Sequence, residues 1–292
     1  MIPENVTGPI SRHAEGPVWW PAWGGLRWVD AEAGDLLSLG RDGIGRQHLD
    51  DEYLAFVRPR AGGGLVAVGA RDLYLADRPD GPARAALGLG GDPAVRMNDG
   101  GCDPRGRLLA GSMAYDGSSG AGSLLRIGPA LDTTTVLSGV SVSNGIGFTA
   151  EGTRAYYVDS TTRRIDAFDV DESGGLVQRR VFARIPEGEG LPDGLAVAAD
   201  GGVWVAVWGG GAVLGFDEDG VLRERIALPV PQVSACTFGG SDPGTGAGTD
   251  DLGTLFITTS AQGLPRDHGT EAGSVYAVRP GVQGVPALPF AG

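Results

Sequence analysis

Four short segments of this chain place a side-chain oxygen directly before a glycine, or one residue before it. They are HAEGPVW with Glu15, RMNDGGCD with Asn98 and Asp99, SNGIGF with Asn144, and LPDGLAV with Asp193. An apolar run follows each. Carboxylate and amide oxygens are hard donors and suit a divalent cation such as Ca2+ or Mg2+, with Mn2+, Zn2+ and Fe2+ also compatible. The three histidines, at 13, 48 and 268, show no His-x-x-His-type spacing, so a histidine-rich zinc site is not indicated. Taken singly, each acid–glycine or amide–glycine pair reads as an ordinary turn, the glycine letting the backbone bend beside the polar residue. Taken together they read as one site, provided that the fold brings them to one place.

The elements that must do so are short strands. Helical periodicity is nearly absent. Runs such as GLRWVD (25–30), GLVAVG (64–69), RLLAGSM (107–113), RAYYVDS (154–160), GVWVAVW (202–208) and TLFITTS (254–260) are bounded by Gly, Asp or Pro and read as strands. The order of cues recurs: a loop with a polar residue, a turn, one apolar strand, then another. Comparable loop positions fall on Glu15, Phe56, Asn98, Asn144, Asp193 and Ser234, at steps of 41, 42, 46, 49 and 41 residues. A period of roughly 40–50 residues built of short strands marks a β-propeller. Six such units fill the 292 residues, so an all-β, six-bladed β-propeller forming one domain over 1–292 is expected. A β-sandwich is the competing architecture; no WD or kelch signature is visible. A propeller sets equivalent positions of its blades around one channel mouth, which is how the four dispersed segments could converge.

Composition bounds the partners. Fifty-two glycines among 292 residues far exceed the roughly 7% of average proteins and fall between apolar runs, as tight turns require. The net charge of −13 argues against nucleic acid and anionic membranes and suits a neutral substrate that becomes an acid. Cys102 and Cys236 form no CxxC or disulfide framework. No signal peptide and no membrane-spanning run is visible, so a cytoplasmic monomer or weak homo-oligomer is expected.

The most specific stretch is RMNDGGCDPRGRLLAGSM (96–113); EGPVW (15–19), SNGIGF (143–148), YYVDS (156–160), PDGLAV (192–197), FGG (238–240) and AGSVYAV (272–278) extend it through nearly the whole chain. In these residues the sequence resembles the senescence-marker-protein/gluconolactonase/luciferin-regenerating-enzyme family. The resemblance implies a propeller with one metal at the channel mouth, Ca2+ foremost, held by Glu15, Asn144 and Asp193. It places substrate contacts on Arg96 and Asn98, and a further one near Asp116, where the family's glutamate is one methylene longer. The Gly/Ser-rich loop over 116–122 is expected to lie over the site.

The chemistry so implied is hydrolysis of a small, sugar-type lactone. The metal acts as a Lewis acid on the carbonyl, Arg96 and Asn98 orient the substrate, and Asp193 activates water, with Asp99 as the other candidate base. Competing functions are phosphotriester hydrolysis on the same metal site, a non-catalytic metal-binding propeller, and a specialised biosynthetic enzyme. The tryptophans at 19, 20, 23, 28 and 204 read as packing between blades, whereas Trp208 leads into a loop; Cys102 reads as filler of apolar space, and His268 as a solvated loop residue.

Overall fold

Residues 1–240, 251–265 and 271–292 are described by a computed structural model; His268 therefore lies outside the described residues. Six four-stranded antiparallel sheets make up the chain. Their innermost strands are Ala14–Trp20, Leu54–Pro59, Val95–Cys102, Ser143–Phe148, Leu191–Val197 and Val233–Gly239. Each of these touches the next, and the last touches the first, so the six surround one axis. This is the six-bladed propeller expected from the period, not a sandwich. The middle strands are buried on both faces because blades stack face to face: Val203–Trp208 reads VWVAVW and is buried through Val207. Trp19 stacks on Phe256 at 5.5 Å and Trp204 meets Phe238 edge-on at 6.4 Å, the packing role expected of them. The sixth sheet is completed from the other end of the chain, where Glu4–Asn5 pairs with Val275–Val278.

The six repeating positions do not lie in loops, as the sequence suggested. They sit within or beside a β-bulge of the inner strand. The register against the second strand breaks between Glu15 and Val18, Leu54 and Phe56, Met97 and Gly100, Ser143 and Ile146, Pro192 and Leu195, and Val233 and Ala235. A bulge re-aims a side chain while the strand continues. Glycine is needed here mainly for space. At Gly16, φ is +54° and an added Cβ would come within 2.8 Å of Phe56 Cβ in blade two. At Gly194, where φ is ordinary, a Cβ would come within 2.8 Å of Ala235 Cα in blade six.

Carboxylates at the ends of second strands hold the entry to the inner ones. Asp30 accepts the Arg12 and His13 N–H at 3.0 and 2.9 Å, and Asp159 accepts those of Ser141 and Val142 at 3.2 and 3.1 Å. The same device therefore appears in blades one and four. The C-terminal segment runs across the opposite face. Gly284 N donates to Leu252 O, Val285 N to Val197 O, Phe290 N to Pro59 O and Ala291 N to Gly106 O, so it touches blades six, five, two and three in turn. Phe290 is fully buried in the blade-two core. Among the described residues no helix is long and apolar enough to cross a membrane.

Crowding at the axis gives a first prediction. Gly194→Ala is expected to lose roughly 1–3 kcal/mol through overpacking against Ala235, whereas Gly91→Ala, in open space, should stay within about 0.5 kcal/mol of the parent. Denaturant melts of both variants check this; equal midpoints would contradict it.

Candidate active site

Three carboxylates from three blades are buried together at the axis: Glu15, Asp99 and Asp193. Each accepts the N–H of the glycine that follows it, with Gly16 N at 3.0 Å from Glu15 Oε2 and Gly100 N at 2.7 Å from Asp99 Oδ1, and Gly194 serving Asp193. The acid–glycine pairs of the sequence thus supply both the carboxylate and its first donor. One N–H each does not offset burial. Loss of hydration, then the charge of Asp99, raises Glu15 to about 8. Loss of hydration, then Glu15 and Asp99, holds Asp193 well above the usual carboxylate range. Asp99 is raised by burial too, against the opposing pull of Arg58.

The amides stand beside them. Asn144 Nδ2 donates to Ser160 Oγ at 2.8 Å, and Asn144 Oδ1 lies 3.3 Å from Asn98 Nδ2. Asn98 Nδ2 also donates to the Ser143 carbonyl at 2.9 Å, and its Oδ1 accepts Arg96 Nη1 at 2.7 Å. Arg96 is buried. Its guanidinium carbon lies 3.9 Å from the centre of the Tyr53 ring and 5.9 Å from that of Tyr115, a cation–π arrangement with both. Five residues singled out in the sequence, Glu15, Asn144, Asp193, Arg96 and Asn98, therefore form one connected group, with Asp99 adjoining. Asp116 does not join it. It is exposed, and its carboxylate accepts both the Ser118 N–H and the Ser118 hydroxyl within its own loop.

Several residues of the site escaped the sequence reading. Arg58 braces the axis: it donates to the Gly16 carbonyl of blade one at 3.1 Å and to the Gly100 carbonyl of blade three, and it stands 3.7 Å from Asp99. It also lines, with Asp99, a cavity of about 120 Å³ at the far end of the axis, bordered by Cys102, Cys236 and the C-terminal residues Val285–Leu288. Tyr53 feels the charges of Glu15 and Asp193. His13 lies edge-on to Trp208 at 5.6 Å and tilted to Tyr53 at 6.3 Å. Burial and then Arg96 lower its pKa to about 4, so the ring is neutral at neutral pH. Blade two contributes Tyr53 and Arg58 through residues flanking its repeat position, Phe56, which is apolar and gave no signal.

The group is one that a cation fits. Among the described residues no set of three or more His, Cys, Asp or Glu side chains is arranged as a metal site; the donors here would be two carboxylates and an amide oxygen. Glu15 and Asp99 raise the pKa of Asp193, Asp99 raises that of Glu15, and Arg58 stands beside Asp99. A positive ion among these hard oxygens would relieve that repulsion.

Known proteins share this architecture. The family model described as the SMP-30/gluconolactonase/LRE-like region matches residues 13–261. A pentonolactonase of Haloferax volcanii is 34% identical over 262 residues, covering 89% of this chain and 86% of its own. Among solved structures, a calcium-binding regucalcin from Agrobacterium tumefaciens is 26% identical with a TM-score of 0.85, over 96% of this chain and 94% of its own. A luciferin-regenerating enzyme is likewise 26% identical, with a TM-score of 0.83 over 99% and 100%.

The crowded carboxylates set a pH dependence for the metal-free protein. Glu15 titrates near 4.5 when unfolded and near 8 when folded, so between these values the folded chain holds the extra proton. Its stabilising contribution is complete below the lower value and is lost as pH rises through the upper one. After chelation, the melting temperature should fall over this window more steeply in the parent than in Glu15→Gln. Parallel pH profiles for the two would contradict the assignment.

Proposed function

Because the chain belongs to the SMP-30/gluconolactonase/LRE-like family, we propose that it is a lactonase acting on a small, sugar-type lactone. The observation that carries this reading is the convergence at one site of Glu15, Asp193, Asn144, Arg96 and Asn98. The name of the Haloferax volcanii relative, pentonolactonase, supports it. Glu15, Asn144 and Asp193 would hold a divalent cation, which when bound supplies Lewis-acid stabilisation of charge developing on the lactone carbonyl. Ca2+ is the ion favoured by the oxygen donors and by the name of the Agrobacterium relative.

The chain's own groups do the rest. Arg96, held against Tyr53, and Asn98, held by Arg96 and the Ser143 carbonyl, are set in place before substrate arrives, so orientation costs little at the moment of reaction. Asp193 takes a proton from the attacking water, as a carboxylate standing beside the bound cation can. The water oxygen bonds to the carbonyl carbon, the ring C–O bond breaks, and the proton passes to the departing ring oxygen. The product is a hydroxy acid. Its carboxylate meets a chain of net charge −13, which favours its release. Asp99 suits the base role less well, because it faces Arg58 and the far cavity.

A pH-indicator screen of aldonolactones, with Ca2+, Mg2+, Mn2+ and Zn2+ each restored to chelated protein, tests the reading. Hydrolysis of at least one aldonolactone, lost on chelation and faster than that of a phosphotriester, is expected; no metal-dependent turnover of any lactone would refute it. Asp193→Asn should lower kcat by at least about a hundredfold with the fold retained by circular dichroism, and Asp99→Asn should cost less. The reverse order would move the base to Asp99.

A further inference from the structure

His13 stands in the wall of the site with no part in the steps above. Its backbone N–H is fixed by Asp30 at 2.9 Å, and its Nδ1 lies 2.8 Å from Ser260 Oγ, across a strand-to-strand bridge between blades one and six. Ser260 Oγ already accepts the Gln262 N–H at 3.0 Å. His13 Nδ1 is the acceptor that the described residues offer for the hydroxyl's own hydrogen. The proton of the neutral ring is then on Nε2, and a doubly protonated ring would carry one there as well. The described residues supply no partner for Nε2. Here, then, is a hydrogen-bond donor whose orientation is set by Ser260, flanked by the Trp208 ring at 5.6 Å and the Tyr53 ring at 6.3 Å.

Position determines what this donor could meet. His13 precedes Glu15 by two residues, so both side chains leave the same face of the chain, roughly 7 Å apart. At that spacing, a lactone with its carbonyl beside Glu15 would reach His13 with the carbons beyond its ring rather than with the reacting bond. Asp116, the other residue on which sugar recognition was expected to rest, is turned into its own loop by Ser118.

We infer that His13 is a specificity-determining residue, which selects lactones bearing a hydroxyl on the arm outside the ring. Nε2–H donates to that oxygen and Trp208 covers the adjoining C–H surface. A site built to bond a hydroxyl rejects the analogue lacking it more strongly than an apolar pocket rejects one methylene. The inference rests on the lactonase reading.

The test compares a pentono-γ-lactone with the analogue lacking its terminal hydroxyl, on the metal-loaded enzyme. The ratio of their kcat/KM values is the readout. The parent should favour the hydroxylated lactone. His13→Leu should reduce that ratio by about tenfold, as loss of one hydrogen bond implies. His13→Gln, which keeps an N–H donor, should restore most of it, and Ser260→Ala should lower it in part. If both rates fall together in His13→Leu with the ratio kept, His13 is merely structural and the inference is overturned. The same holds if Gln and Leu behave alike. Should the parent hydrolyse neither compound nor any other lactone, the lactonase reading itself fails and takes this inference with it.

Discussion

Three carboxylates are buried within reach of one another's charge, and most of the molecule near the axis can be understood as making that arrangement tolerable. Removing an ionised carboxylate from water is costly unless it is paired or neutralised. Here the first compensation is the N–H of the next glycine in the chain, and the second is charge from Arg58 and Arg96. The compensation is incomplete: Glu15 and Asp193 remain far more basic than ordinary acids. That residue of unbalanced negative charge is what raises the site's affinity for a proton, and it would favour a cation in the same place.

The geometry that concentrates the charge comes from the blades. Each inner strand is bulged at the same place, which turns one side chain toward the axis without ending the strand. Not every blade spends that position on chemistry. Phe56 fills space between Gly16 and Gly100, and Ser234 donates to the Ala14 carbonyl at 2.6 Å, tying blade six to blade one. Arg58 spans blades one to three through their carbonyls, which sets its charge beside Asp99, whereas no arginine offsets the raised pKa of Asp193. Packing and electrostatics are thus divided among blades that share one fold.

Much of this was legible in the sequence, for reasons that can be named. Regular spacing from Glu15 to Ser234 counted the blades, and acid–glycine pairs located the axis, because the close approach of strands there leaves no room for a Cβ. The pairs read as turns because a bulge is a register shift between two strands, and nothing local records it; Glu15 and Asp193 therefore looked like loop residues. Tyr53 and Arg58 were hidden by the apolar Phe56 between them. His13 was hidden because no second histidine stands near it in the sequence and its partner is Ser260, far along the chain. The resemblance that pointed to Asp116 says nothing of a loop whose conformation is set by its own serine.

The C-terminal segment has a thermodynamic consequence of its own. In a ring of repeats each blade touches only its neighbours, and stability is then close to a sum of local terms that can be lost piecemeal. The segment that joins blades six, five, two and three across the far face adds contacts between units that are not adjacent, anchored by the buried ring of Phe290. No one of those blades can open without releasing a strap that the others share. The strap thereby couples blades that do not touch one another, and the charges contributed by four of the blades are braced against local fraying by a stretch of chain that belongs to none of them.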